Sequence, residues 1–188
     1  MKLLALTLLL SVAVGSILGG RVSALGGLRL RWAPMALIAL VLQVIDPPGS
    51  WPLVLLLTSF VLLSIFVVVN RRIAGFWLIL AGVALNFGVI GLNGGMPVST
   101  RALDASGQAS TIGELTGHPE HTVKHHLATG DDAAMFLGDV IAIPPPLAQA
   151  ISLGDIFTYG GVAVVIISGM RRRGAVEPVG RGEVQHAG

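Results

Sequence analysis

Four of the chain's five histidines fall within nine residues, His118-Pro119-Glu120-His121-Thr122-Val123-Lys124-His125-His126. On a helix His118, His121 and His125 would share one face, because positions i, i+3 and i+7 align. Such a triad, with Glu120 or Asp131 beside it, would suit a zinc ion that activates water. The spacing departs from the His-Glu-x-x-His pattern of zinc proteases, and histidine runs in exposed loops are commonly solvated. No metal or cofactor is therefore predicted, and these three histidines stand only as the metal candidates. Serine catalysis can be written from Ser99, Ser106 or Ser110 with nearby acids. Any polar loop supplies such a set, and no Gly-x-Ser-x-Gly elbow supports it. The absence of cysteine removes thiol nucleophiles, Cys-ligated metals and disulfides.

The remaining candidates flank this segment. Asn93-Gly94-Gly95-Met96-Pro97 permits a sharp turn, because Asn-Gly and Gly-Gly accept positive φ, and Pro97 then holds an extended path. Phe136-Leu137-Gly138-Asp139-Val140-Ile141, followed by Pro144-Pro145-Pro146, predicts an extended strip lying on the membrane surface or over a helix bundle. Ser152 is a suitable N-cap for the last helix. Asp155 at its third position complements the positive end of the helix dipole, which accounts for it without a functional role. Asn86 is the deepest polar residue of any apolar run, and its simplest role is an interhelical hydrogen bond. The binding candidates are Asn86, Asn93, Gly94, Gly95, Met96, Pro97, Lys124, His125, Phe136, Gly138, Asp139 and Asp155.

Long apolar helices must position these residues. Of 188 residues 53% are apolar and only 12% charged, with a mean hydropathy of +0.81. A soluble domain carries about twice that share of charge, and a disordered chain would be poor in Leu, Ile and Val. The composition predicts an all-α integral membrane protein. A helix needs about 20 apolar residues to cross the bilayer. Five transmembrane helices are predicted at about 3–19, 28–45, 51–69, 73–92 and 151–170, with one long outer loop over 93–150. The second reaches spanning length only by extension back to Leu28, with Arg29 and Arg31 snorkelling to the headgroups. Residues 1–170 form a single transmembrane domain and 171–188 a flexible cytoplasmic tail. Gly15 and Gly19 have the GxxxG spacing that lets helices approach, a weak signal because Gly is common in such helices.

Charge orients the spans. Nine of the twelve basic residues lie around 20–31, at Arg71 and Arg72, or in the tail from Arg171. The other side keeps Lys2, Arg101 and Lys124 and eight of the ten acidic residues. By the positive-inside rule the N-terminus is outside and the C-terminus in the cytoplasm. A cleavable signal peptide ending near Val22-Ser23-Ala24 would put the later Arg clusters outside, so an uncleaved first helix is preferred. Arg171–Arg173 would favour anionic lipids. The loop lacks the aromatic interleaving that stacks on bases, so no nucleic acid is expected. The spans hold no charge well inside, which argues against a proton-coupled pump.

The chain resembles a bacterial polytopic membrane-protein family catalogued as domain of unknown function 5317. The residues that carry the resemblance are Gly19-Gly20-Arg21, Leu28-Arg29-Leu30-Arg31-Trp32, Asn70-Arg71, Asn86 and Asn93-Gly94-Gly95-Met96-Pro97-Val98. Lys124-His125, Phe136-Leu137-Gly138-Asp139-Val140-Ile141, the Pro144–Pro146 run and Leu153-Gly154-Asp155 complete it, over roughly residues 1–170. His118, His121 and His126 are not part of that pattern. The resemblance implies a small multi-pass protein of the bacterial cytoplasmic membrane and no particular activity. The leading expectation is a non-catalytic envelope protein whose outer loop binds a membrane or envelope protein partner or a lipid-linked molecule. The alternatives are an outer-face hydrolase, metal-dependent or not, built on His125 and Asp139, and an accessory subunit of a transporter.

Overall fold

A computed structural model describes residues 2–117 and 124–172. The chain is mostly helical. Its helices are α1 (Lys2–Ile17), α2 (Ala33–Val44), α3 (Trp51–Val69), α4 (Phe76–Asn93), α5 (Thr100–Ala105), α6 (Ala109–Gly117) and α7 (Leu153–Met170). Among the described residues, four three-residue strands, β1 (Met96–Val98), β2 (His125–Leu127), β3 (Ile141–Ile143) and β4 (Gln149–Ile151), lie between α4 and α7. Helices α3, α4 and α7 are long and apolar enough to cross a membrane. Helices α1 and α2, of 16 and 12 residues, are shorter.

The five apolar helices pack side by side in the order α1, α7, α4, α3, α2, so the last helix inserts between the first and the fourth. Two apolar clusters bind them. One joins Leu56 and Phe60 of α3 to Val83, Val89 and Ile90 of α4. The other joins Phe66 and Val67 of α3 to Phe76 of α4, with Met35 and Ala36 of α2 against it. Much of the remaining apolar surface faces outward: Leu9, Ile17, Leu37 and Val44 are all exposed. A helix apolar on every side is expected where the solvent is hydrocarbon.

One end of the bundle is basic. The Arg21 N–H donates to the Met170 carbonyl at 2.8 Å, which ties the exit of α1 to the end of α7. The Asn70 side chain, at the end of α3, accepts from the Arg31 N–H and donates to the Arg31 carbonyl, both at 2.8 Å. Arg21, Arg31, Arg71, Arg72, Arg171 and Arg172 therefore gather at this end.

The Asn70 clamp also corrects the expected second span. The helix does not reach back to Leu28: residues 28–32 are non-helical and Trp32 takes a left-handed φ of 59°. Asn70 holds the Arg31 backbone as a neighbouring strand would, which satisfies groups that a helix would otherwise pair. Pro34, in the first turn of α2, has no N–H to offer an earlier carbonyl. At 1.5 Å per residue α2 is about 18 Å long.

The opposite end carries a cap, whose described residues are 94–117 and 124–152. Strand β1 pairs in parallel with β2, with Met96 opposite His125 and Val98 opposite Leu127. On its other edge β1 meets Asp139: the Asp139 N–H donates to the Pro97 carbonyl at 3.0 Å and the Ser99 N–H to the Asp139 carbonyl at 3.1 Å. Pro97 thus sits mid-strand, buried on both faces, at a position where only its carbonyl is required. A Cβ on Gly138 would strike the Pro97 carbonyl, so only glycine permits this approach. The Asn-Gly-Gly-Met-Pro and Phe-Leu-Gly-Asp blocks, about 40 residues apart, are therefore one structural unit.

The expected extended strip over 136–146 is replaced by three different conformations. Met135–Leu137 is a 3-10 turn, Ile141–Ile143 is β3, and the three prolines form the loop by which β3 returns as antiparallel β4. The prolines cannot donate to a ladder, which confines them to the connection. The Gln108 side chain ties the helical part of the cap to β4, accepting from the Ala150 N–H at 2.9 Å.

Candidate functional site

The polar residues converge where the cap meets α4 and α7. Ser152 caps α7: its hydroxyl accepts from the Asp155 N–H at 3.0 Å, while the Asp155 carboxylate accepts from the Ser152 N–H at 3.1 Å. This reciprocal pair satisfies two of the donors that every helix start leaves open. Asn86 of α4 closes the network. It accepts from the Ser152 hydroxyl at 2.9 Å and donates to the other Asp155 oxygen at 3.0 Å. Ser152 is fully buried and Asn86 nearly so. Both oxygens of Asp155 are engaged, and the Ser152 hydroxyl is committed as donor and acceptor, so it is not poised as a nucleophile.

The network forms because α4 and α7 touch backbone to backbone. A Cβ on Gly82 would overlap the Gly154 carbonyl, and one on Gly154 would lie 2.7 Å from the Gly82 carbonyl. Two turns away Gly75 and Gly161 repeat the arrangement. These four glycines lie seven residues apart on each segment, and of them only Gly154, in Leu153-Gly154-Asp155, stands in a motif of the sequence. Their equal spacing was the available signal. The GxxxG pair performs differently from the expectation: Gly15 packs against Met170 of α7, whereas Gly19 has a φ of 78° and a Cβ added there would meet nothing within 4 Å.

Two further side chains clip the cap to the bundle. Asn93, the last residue of α4, accepts from the Ala133 N–H at 2.8 Å and donates to the Ala133 carbonyl at 2.9 Å. Gly94 follows with φ 67°, ending the helix in the left-handed conformation. Lys124 donates to the carbonyls of Gln43 and Ile45 at 3.0 and 2.9 Å and lies 3.4 Å from Asp46. It caps the C-terminus of α2, where a cation complements the dipole.

Of the other candidates, Met96 is buried in the α3–α4 cluster and Gly95 is the residue just before the strand that carries it there. Among the described residues, Phe136 is the most exposed large apolar residue of the cap. His125 opens β2, where it feels the Asp155 charge. It lies on a strand and not on the helical face proposed for a metal triad; His118 and His121 lie outside the described residues. Among the described residues no three His, Asp or Glu side chains are grouped to hold a metal. His126 pairs with Asp132 at 2.9 Å. The Thr129 N–H, donating to Asp132, holds that carboxyl below the usual carboxylate range.

Asp139 differs from these. Among the described residues its carboxyl makes no hydrogen bond, although its backbone is locked into the edge of β1. Asp155 lies close to it, as does Tyr159 beside Gln149. Burial, and then the Asp155 charge, push the Asp139 carboxyl up to about 8, so it is protonated at neutral pH.

A pH dependence follows. From about pH 4 to pH 8 the unfolded chain has released this proton while the folded protein keeps it, so stability falls as pH rises through that window. Below it the cost is absent and above it the cost is constant. Asp139→Asn mimics the neutral form and is expected to remove this slope. Melting temperatures in nanodiscs between pH 5 and pH 9 check it: parallel curves for the two proteins would contradict the assignment.

The chain matches the family of unknown function DUF5317 over residues 26–167. It belongs to that family. The match begins after α1, so Gly19-Gly20-Arg21 falls outside it, and it takes in the cap and nearly all of α7. Neither a curated protein nor a solved structure matches the chain.

Proposed function

We propose that this DUF5317 protein is a five-span protein of the bacterial cytoplasmic membrane, with its N-terminus outside. Its outer cap would recognise a membrane or envelope protein or a lipid-linked molecule without catalysing a reaction. The observation that carries this reading is how the polar side chains are used. Asn86, Asn93, Lys124, Ser152 and Asp155 hold backbone and helix ends in place, and the motif blocks fold on one another in the cap. Such an arrangement suits a shaped surface better than a reaction centre. The basic end of the bundle suits the cytoplasmic face, where Arg171–Arg173 would meet anionic lipid. In this reading α1 and α2 cross the membrane as well, with the short α2 completed by its non-helical flanks.

Extraction from native membranes without detergent, followed by mass spectrometry, tests the binding reading. The expected result is a stoichiometric protein or lipid-linked partner that is lost with Asp139→Ala. A bound metal and no partner would favour the hydrolase. Reporter fusions at Gly107 and after Gly188 test the orientation: a reporter active in the cytoplasm at Gly107 would reverse it. The Asp139–Asp155 pair favours the hydrolase as the second reading, because a neutral Asp139 carboxyl close to a second carboxyl is the kind of pair that acid and base catalysis uses. An accessory role beside a transporter is the form the binding reading takes if the partner is a carrier.

A further inference from the structure

Among the described cap residues, two large apolar side chains are exposed, and they are neighbours: Met135 at 41% and Phe136 at 71%. Their position is set by hydrogen bonds. The Asn93 side chain grips both backbone groups of Ala133, two residues before Met135. The 3-10 turn Met135–Leu137 is thereby seated on the end of α4 and also packs against α7. Leu137 points inward onto the cluster of Leu56, Phe60, Val83 and Ile90. Phe136 is turned to the outside at the level where α4 ends. Leu92, at that same level, is 69% exposed on the apolar surface of the bundle.

We infer that the Met135–Phe136 turn is a membrane-interface anchor that dips into the outer leaflet and fixes the cap against the bilayer. The inference rests on the reading of α4 as a span whose C-terminal end faces outward. Continuity with the apolar belt favours lipid over a protein partner: the patch borders the bundle surface that hydrocarbon must cover, and Phe and Leu side chains of interfacial segments bury at the boundary between headgroups and acyl chains. An exposed Phe beside water alone would be solvated at a cost; at the interface it is buried. The anchor also gives the clip by Asn93 a purpose, since it fixes the depth of the ring relative to α4.

The chain has no cysteine, so single cysteines can be introduced and spin-labelled one at a time. Phe136→Cys, Leu92→Cys and Thr129→Cys would be compared in liposomes by collision with oxygen, which partitions into lipid, and with a nickel chelate, which stays in water. The ratio of oxygen to nickel collisions at position 136 is expected to resemble that at 92 and to exceed that at 129 several-fold. Nickel access at 136 equal to that at 129, with 92 still in lipid, would overturn the anchor and leave the span intact. Exclusion of both reagents at 136 would place a protein over the turn, again overturning it. Nickel access at 92 would overturn the span itself, and the anchor with it.

Discussion

Gly161→Ala is expected to lower the melting temperature of the protein in nanodiscs by several degrees, while Gly160→Ala, one residue away, leaves it unchanged or slightly raised. A Cβ at Gly161 would lie 2.7 Å from the Ile79 nitrogen and 2.8 Å from the Gly75 carbonyl oxygen. Both are backbone atoms and cannot rotate aside. The helices must separate, and every contact along the seam loosens with them. Overpacking of this kind costs about 1–3 kcal/mol. The same added methyl at Gly160 meets nothing within 4 Å, and alanine is the better helix former. The paired comparison separates seam packing from helix propensity, since propensity favours alanine at both sites. Equal effects at the two positions would mean that α4 and α7 do not meet here.

Asn86→Asp is expected to be more damaging than Asn86→Ala, although it is the smaller change in shape. Asn86 lies 3.0 Å from one Asp155 oxygen as a donor and accepts from the Ser152 hydroxyl at 2.9 Å. Alanine leaves the buried Ser152 hydroxyl and one Asp155 oxygen without these partners, at about 1–3 kcal/mol for a buried group left unsatisfied. Aspartate keeps the acceptor for Ser152 but sets a second carboxylate against Asp155, with Asp139 close by as a third carboxyl. The added cost is greatest when the new group is ionised and is relieved when it is protonated. Stability of Asn86→Asp should therefore recover on acidification, whereas that of Asn86→Ala should not recover in parallel. Thermal unfolding at pH 5 and pH 8 measures the difference. If the Asp variant matched the Ala variant at both, Asn86 would be acting through packing alone.

These two sites differ in how far the chain announces them. Asn86, Ser152 and Asp155 stand out in the sequence because polar groups are scarce in apolar runs, and a lone Asn at depth needs a partner. Their separate local roles, interhelical bond and N-cap, are both present in the structure. That they form one closed network required α4 and α7 to be neighbours. The glycine seam was harder to read. The chain has 25 glycines, and only the geometry shows which meet backbone. The GxxxG pair met the usual pattern and performs differently, because at Gly19 the helix has already ended. Asn93 and Lys124 were visible as candidate polar contacts, but their partners, Ala133 and the end of α2, lie 40 and about 80 residues away.

What the amino-acid sequence determined by itself is the apolar character and the rough extent of the helices, three of them long enough to cross a membrane. Long apolar runs must satisfy their own backbone groups, and a helix does so locally, residue by residue. Clustered arginines and the polar segment after Asn93 follow the same local logic. What only the tertiary structure decided is the order in which the helices pack, the truncation of α2 by the Asn70 clamp, and the folding of the polar segment into a cap. It also set the placement of Asp139 against Asp155. Each of these depends on pairings between residues distant in the chain, chosen by complementary shape and by hydrogen bonds that no short stretch contains. Hydrophobic periodicity reports which residues leave water; it does not report which of them meet.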